Sequence, residues 1–188
     1  MSISIDNNCY IFLPLYRSVF FRFCKFETKS KNKQDIIITN ALNIKNRKER
    51  ITYIYDATCD YIDDYYNHSN ICGFKNLKCY ANRSNGKDNN YGCCRFCYYK
   101  TNHGCPSKNL ACKLFNCSEV CKRRKVLTYK DLKMLRLLSL RQRHVVKSDY
   151  FSLREDVLKD LYCYTMTFAT IRVVFRLIKN YFKSKKRT

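Results

Sequence analysis

The longest periodic pattern in the chain lies near its C-terminal end, where Val157, Leu161, Tyr164, Phe168, Ile171, Phe175, Ile178 and Phe182 alternate four and three positions apart without a break. Apolar residues at that spacing form one stripe of a helix, and a stripe sustained over several heptads is a seam that another helix must cover. Ser152, with Glu155 three positions on, is a capping-box signature, so the pattern predicts one long helix opening there. A second stretch, Ile51, Ile54, Tyr55, Thr58, Ile62 and Tyr65, predicts a helix within residues 36–67, with Asp56, Asp60, Asp63 and Asp64 on its other faces. A third predicts a helix over residues 129–147, with Thr128 as N-cap, Asp131 three positions on, and Leu132, Leu135, Leu138, Val145 and Val146 as apolar anchors. Leaving the C-terminal seam in water forfeits about 1.5–3 kcal/mol for each large side chain. Folding the helices of 51–65 and 129–147 back onto it predicts a mainly α fold, a small helical bundle. The competing way to cover residues 157–182 is a coiled-coil homodimer.

Outside these helices the periodicity dissolves. Residues 10–23 are apolar and aromatic, a short helix or strand docking on the core, and KFETKSKNKQ behind them reads as a loop. From Cys72 to Cys121 only short apolar fragments remain, separated by turn formers at Gly73, Asn85-Gly86, Gly92, Gly104 and Pro106. Such a segment cannot close a hydrophobic core alone and needs a cross-link. The organisation expected is therefore an N-terminal helical region over residues 1–70, an irregular cysteine-rich module over 71–125 inserted between helices, and a basic C-terminal helical hairpin over 126–188.

Composition supplies the cross-link. Nine of the thirteen cysteines fall between Cys72 and Cys121. The start of the chain has an acidic residue and no basic one ahead of its apolar run, and Arg17 and Arg22 interrupt that run, so it reads neither as a secretory signal nor as a spanning helix. An odd number of cysteines without a signal points to the cytoplasm and to thiolates rather than disulfides. Cys94 and Cys97 have the Cys-x2-Cys spacing that bends around one tetrahedral zinc ion, and Cys117-x3-Cys121 fits a returning pair. With Cys72, Cys79, Cys105 and Cys112 they make eight sulfurs, enough for two four-coordinate sites, and Cys93 is left as a spare or a bridge. The same donors suit an iron–sulfur cluster, but their spacing does not reproduce a ferredoxin pattern, so zinc is favoured. His103 stands in a turn as a substitute ligand or a surface residue. Cys9, Cys24, Cys59 and Cys163 read as small buried hydrophobes.

Charge adds a partner. Residues 1–70 hold ten Lys and Arg against eight Asp and Glu, which leaves twenty-seven against seven over residues 71–188 out of a net +22. That polarisation, in a chain with sixteen Tyr and twelve Phe, points to a phosphate-rich partner, with nucleic acid ahead of an anionic membrane and DNA ahead of RNA. Lys122, Arg123, Arg124 and Lys125, followed by Lys133, Arg136, Arg143 and Lys147, are the candidate contacts, neutralising phosphates with release of counterions. The membrane alternative rests on residues 162–182 with Arg172, Arg176 and Lys179, an amphipathic segment followed by KSKKR.

No motif in the chain singles out catalytic machinery, a Cys/His nucleophile pair included. Its four glycines form neither a phosphate loop nor a dinucleotide fingerprint, and Asp88 and Glu119, the acids of the cysteine segment, lie in no His-x-Glu arrangement. At Gly92-Cys93-Cys94-x2-Cys97, with Gly104-Cys105 and Leu110-Ala-Cys112-Lys-Leu-Phe-Asn-Cys117 behind it, the chain resembles small cysteine-cluster proteins of low-GC Gram-positive bacteria and their plasmids and phages. The Gly-Cys-Cys start is also similar to that of bacterial proteins described as zinc- or iron-chelating. The resemblance covers residues 92–165. It implies a metal module and, through mobile elements, a replication, copy-number or transcription control protein, non-catalytic and metal-stabilised. An iron–sulfur redox or sensor protein and a peripheral membrane protein are the alternatives.

Overall fold

The computed structural model describes residues 2–4, 25–66, 71–73, 78–84, 97–99, 108–163 and 166–186. They are mainly helical. Two short strands, β1 (Ser2–Ser4) and β2 (Lys25–Glu27), pair in parallel with Ile3 opposite Phe26. β2 thus occupies the first residues of the stretch read as a loop. The docking segment expected over residues 10–23 lies outside the described residues.

The helix expected within 36–67 is two helices, α1 (Lys33–Asn43) and α2 (Arg47–Tyr65). The break comes from asparagines: Asn46 caps α2 by accepting from the amides of Lys48 and Glu49, and Ile44 ends α1 in extended backbone. Asn43 exchanges hydrogen bonds with the Phe26 amide and carbonyl, both 2.9 Å, and so ties β2 to the end of α1. α2 buries Ile51, Ile54, Tyr55, Thr58, Cys59 and Ile62, the expected face plus Cys59. At its end the buried tyrosine is Tyr66, while Tyr65 is exposed. Tyr55 donates to the Lys108 carbonyl at 3.0 Å and accepts from the Leu110 amide at 3.2 Å, which holds α4 (Leu110–Leu114) against α2.

The helix expected over 129–147 is also divided. Thr128 and Asp131 do form a capping box, but it opens a 3-10 turn, Tyr129–Asp131, followed by a second, Lys133–Leu137. Leu132, Leu135 and Leu138 stand three apart, which is the period of a 3-10 helix, and all three are buried. Ser139 and Gln142 then make a new capping box, and α6 (Leu140–Ser148) begins.

The single long C-terminal helix is overturned in the same way. α7 (Arg154–Tyr162) ends before α8 (Met166–Lys185) begins, and Leu153, not Ser152, is the N-cap of α7. Ser152 is turned inward, donating to Asp149 and accepting from Arg176 at 3.0 Å. The seam is accordingly split. Val157 and Leu161 join the core, whereas Ile171, Phe175, Ile178 and Phe182 are exposed. α2 packs on α7, and α8 touches α6 and α7. Tyr164 and the Phe168 side chain lie outside the described residues.

One apolar cluster runs from Phe26 through α1 and α2, Leu110, the 3-10 turns and α6 to Leu161. α8 is fixed beside it by polar groups. Arg176 reaches both Asp149, at 2.7 Å, and Asp160, Arg172 pairs with Asp160 at 2.7 Å, and Asn180 donates to the Phe151 carbonyl at 2.6 Å. Asp149 and Asp160 are almost fully buried, and burial pushes the Asp149 carboxyl up to about 6. None of the helices among the described residues is long and apolar enough to cross a membrane.

Candidate metal centre and nucleic-acid interface

Six of the eight expected metal ligands are described, and they stand in three places. Cys72 lies in a turn whose carbonyl accepts from the Tyr80 amide at 3.0 Å, and Cys79 is buried just before α3 (Tyr80–Ser84). Gly73 is required in that turn, since its φ is +56° and a Cβ there would collide with the Tyr80 ring. α3 packs against α5 (Ser118–Arg123), which carries Cys121 and is capped by Cys117. The Arg123 guanidinium lies 4.7 Å from the centre of the Tyr80 ring and the Arg83 guanidinium 4.9 Å from it. Cys79 and Cys117 thus stand at the starts of two packed helices, Cys121 lies in the second, and Cys72 lies in the turn bonded to the first.

Cys112 and Cys97 stand apart from them. Cys112 is in α4, and its sulfur accepts from the Phe151 amide at 3.4 Å. Cys97 adjoins Tyr98, whose ring lies 4.9 Å from the Lys183 ammonium of α8. Cys94, Cys105, Cys93 and His103 lie outside the described residues. Among the described residues no three His, Cys, Asp or Glu side chains converge where a metal ion would be held. Of the cysteines read as small hydrophobes, Cys59 is fully buried and its thiol is pushed up to about 12 by burial, which keeps it protonated and inert. Cys163 is half-buried, with the Arg172 guanidinium 2.9 Å from its sulfur.

The expected nucleic-acid contacts lie on the surface from α5 to α6. Lys122, Arg123, Arg124 and Lys125 are exposed at the end of α5, and the first two pair with Glu119 at 3.0 and 3.9 Å. Arg136 and Lys147 are exposed, and Lys133 and Arg143 are half-buried. Tyr129, which sequence reasoning did not single out, is the centre of the second group. The Lys147 ammonium lies 4.3 Å from the centre of its ring, and Arg143 is its charged neighbour. The Tyr129 hydroxyl and Arg143 Nε are buried, and neither has a hydrogen-bond partner among the described residues. Burial pushes the Tyr129 phenol up to about 12, so it remains a neutral donor at pH 7. The hydroxyl and the guanidinium N–H thus lie beneath the surface, while the exposed Lys147 ammonium over the ring is the group of this cluster that can meet a phosphate oxygen. The signal available in the sequence was an aromatic residue inside a run of cations.

Apart from Glu119 beside Lys122 and Arg123, acids offset little of this surface. Residues 122–147 hold ten Lys and Arg and a single acid, Asp131. The Thr128 hydroxyl and amide, with Lys125 nearby, hold the Asp131 carboxyl below the usual carboxylate range. The aspartates of α2 are occupied elsewhere: Asp56 with Arg154 at 2.5 Å, Asp60 with Lys108 at 2.9 Å, Asp63 with Lys113 and Asp64 with Lys33. Compared with family models, curated proteins and solved structures, the chain matches none.

Proposed function

We propose that the protein is a non-catalytic nucleic-acid-binding regulator that contacts phosphates through the surface of residues 122–147. The observation that carries this reading is the concentration of cations over residues 122–147, ten Lys and Arg against the single acid Asp131, with Lys122, Arg123, Arg124, Lys125, Arg136 and Lys147 exposed. Exposed ammonium and guanidinium groups donate charge-assisted hydrogen bonds to phosphate oxygens, which supply the acceptor together with the opposite charge. The surrounding cations, Lys125, Lys133 and Arg136 among them, extend the contact along a backbone, where each neutralised phosphate releases counterions. Duplex DNA is the proposed partner and control of replication, copy number or transcription the proposed task.

The cysteines enter this reading as a zinc-held scaffold beside the surface, with Cys72, Cys79, Cys117 and Cys121 as ligands. Its support is thiolate chemistry and the packing of α3 on α5. The convergence of donors a zinc site needs is not met among the described residues, so no coordination geometry is attached to it. Protein purified without oxygen is expected to carry stoichiometric zinc and no visible absorption band, and protein without metal would remove this scaffold.

The test of the interface is the variant Arg123→Ala, Arg124→Ala, Arg136→Ala, Arg143→Ala, titrated with labelled duplex by fluorescence anisotropy. It is expected to lose at least about tenfold in affinity while its circular dichroism stays that of the parent. A folded variant that binds duplex and single strands as tightly as the parent would overturn the interface.

A further inference from the structure

α8 is mounted with its polar side toward the protein. The residues that meet the body are Val173, Arg176 and Asn180, with Arg172 paired to the buried Asp160 and Lys183 over the Tyr98 ring, so all but Val173 are polar. Ile171, Val174, Phe175, Ile178 and Phe182 face the other way and are exposed, Phe175 at 68% and Phe182 at 60%. At 3.6 residues per turn these five side chains, with Tyr181, fall in one arc about 120° wide, roughly opposite the anchoring side. Lys179 and Lys186 follow along one edge of that arc, and Lys185 falls within its last turn.

The charge of the region selects what would cover the arc. From Leu161 to the end of the chain there is no Asp or Glu, against seven Lys and Arg. A second copy laid against the first would bring another acid-free helix to Lys179 and Lys186 and would offer them no counter-charge. An anionic lipid surface answers both features, since acyl chains take the apolar arc and headgroups meet the lysines beside it. We infer that α8 is a membrane-docking helix, seated by its apolar arc in the interface of an anionic bilayer while Arg176 and Asn180 hold it to the rest of the protein. This surface is distinct from residues 122–147 and does not depend on their role.

The test is co-sedimentation of the full chain with vesicles of phosphatidylcholine, with and without phosphatidylserine, beside the variant Phe175→Ser, Ile178→Ser and beside sedimentation velocity of both proteins without lipid. Both substituted side chains are exposed, so the variant keeps its fold. The parent is expected to partition at least about tenfold more strongly onto the phosphatidylserine vesicles, and the variant to lose at least about tenfold of that partition. Three results would overturn the inference: equal sedimentation of parent and variant, no partition of the parent onto either vesicle, or a parent dimer that the variant dissolves and that ignores lipid.

Discussion

α2 and α8 are nearly equal in length, 19 and 20 residues, and both carry an apolar stripe at helical spacing, yet they are mounted in opposite senses. α2 turns Ile51, Ile54, Tyr55 and Ile62 to the core, and its four aspartates each meet a cation. α8 turns Arg176 and Asn180 inward and shows Ile171, Phe175, Ile178 and Phe182 outward. A stripe at 3.6-residue period identifies a face but not the body that covers it. What decides the matter is long-range, here two buried carboxylates, Asp149 and Asp160, that require a counter-charge and find it in Arg176.

The largest effect that separates the two helices is the cost of truncation. Ile54→Ala removes a fully buried side chain and is expected to cost about 2–5 kcal/mol in urea unfolding, whereas Phe175→Ala stays within about 0.5 kcal/mol of the parent. Equal costs would mean that the outward face of α8 is covered, and the contrast would fall.

A smaller effect sharpens the polar anchor. The Asp149 carboxyl is raised in the folded protein to about 6, above its value of about 3.9 in an unfolded chain, so the native state holds that proton more tightly. The stabilisation from protonation is fully present below about pH 4 and is lost as pH rises through about 6. Relative to Asp149→Asn, the parent is therefore expected to lose up to about 3 kcal/mol of stability between pH 4 and 7. Parallel stability profiles for the two proteins would contradict a buried, titrating Asp149.

The mainly α class and the face of α2 were legible because Ile51, Ile54, Tyr55, Thr58 and Ile62 repeat at three and four positions and are satisfied by neighbours close in sequence. The Thr128–Asp131 box was legible as a start, but the three-residue spacing of Leu132, Leu135 and Leu138, which distinguishes a 3-10 path from an α-helix, went unread. Ser152 with Glu155 has the spacing of a helix cap, yet its hydroxyl is taken by Asp149 and by Arg176, twenty-four positions away, and no local pattern reports such a contact. Of the interface, the cations were visible as a run, while Tyr129 became its centre only through the positions of Arg143 and Lys147 on the next helix. The density of cysteines suggested shared ligation, but density does not say that Cys112 serves the Phe151 amide while Cys79 is buried beside α3.

The most direct test of the interface is the salt dependence of duplex DNA binding by the full chain and by Arg143→Ala, Lys147→Ala. Each phosphate neutralised contributes about 0.9 to the slope of log affinity against log salt. A steep slope is expected for the parent, smaller by about 2 in the double variant with its fold intact. An identical slope in the two proteins, or no duplex binding at low salt, would contradict it.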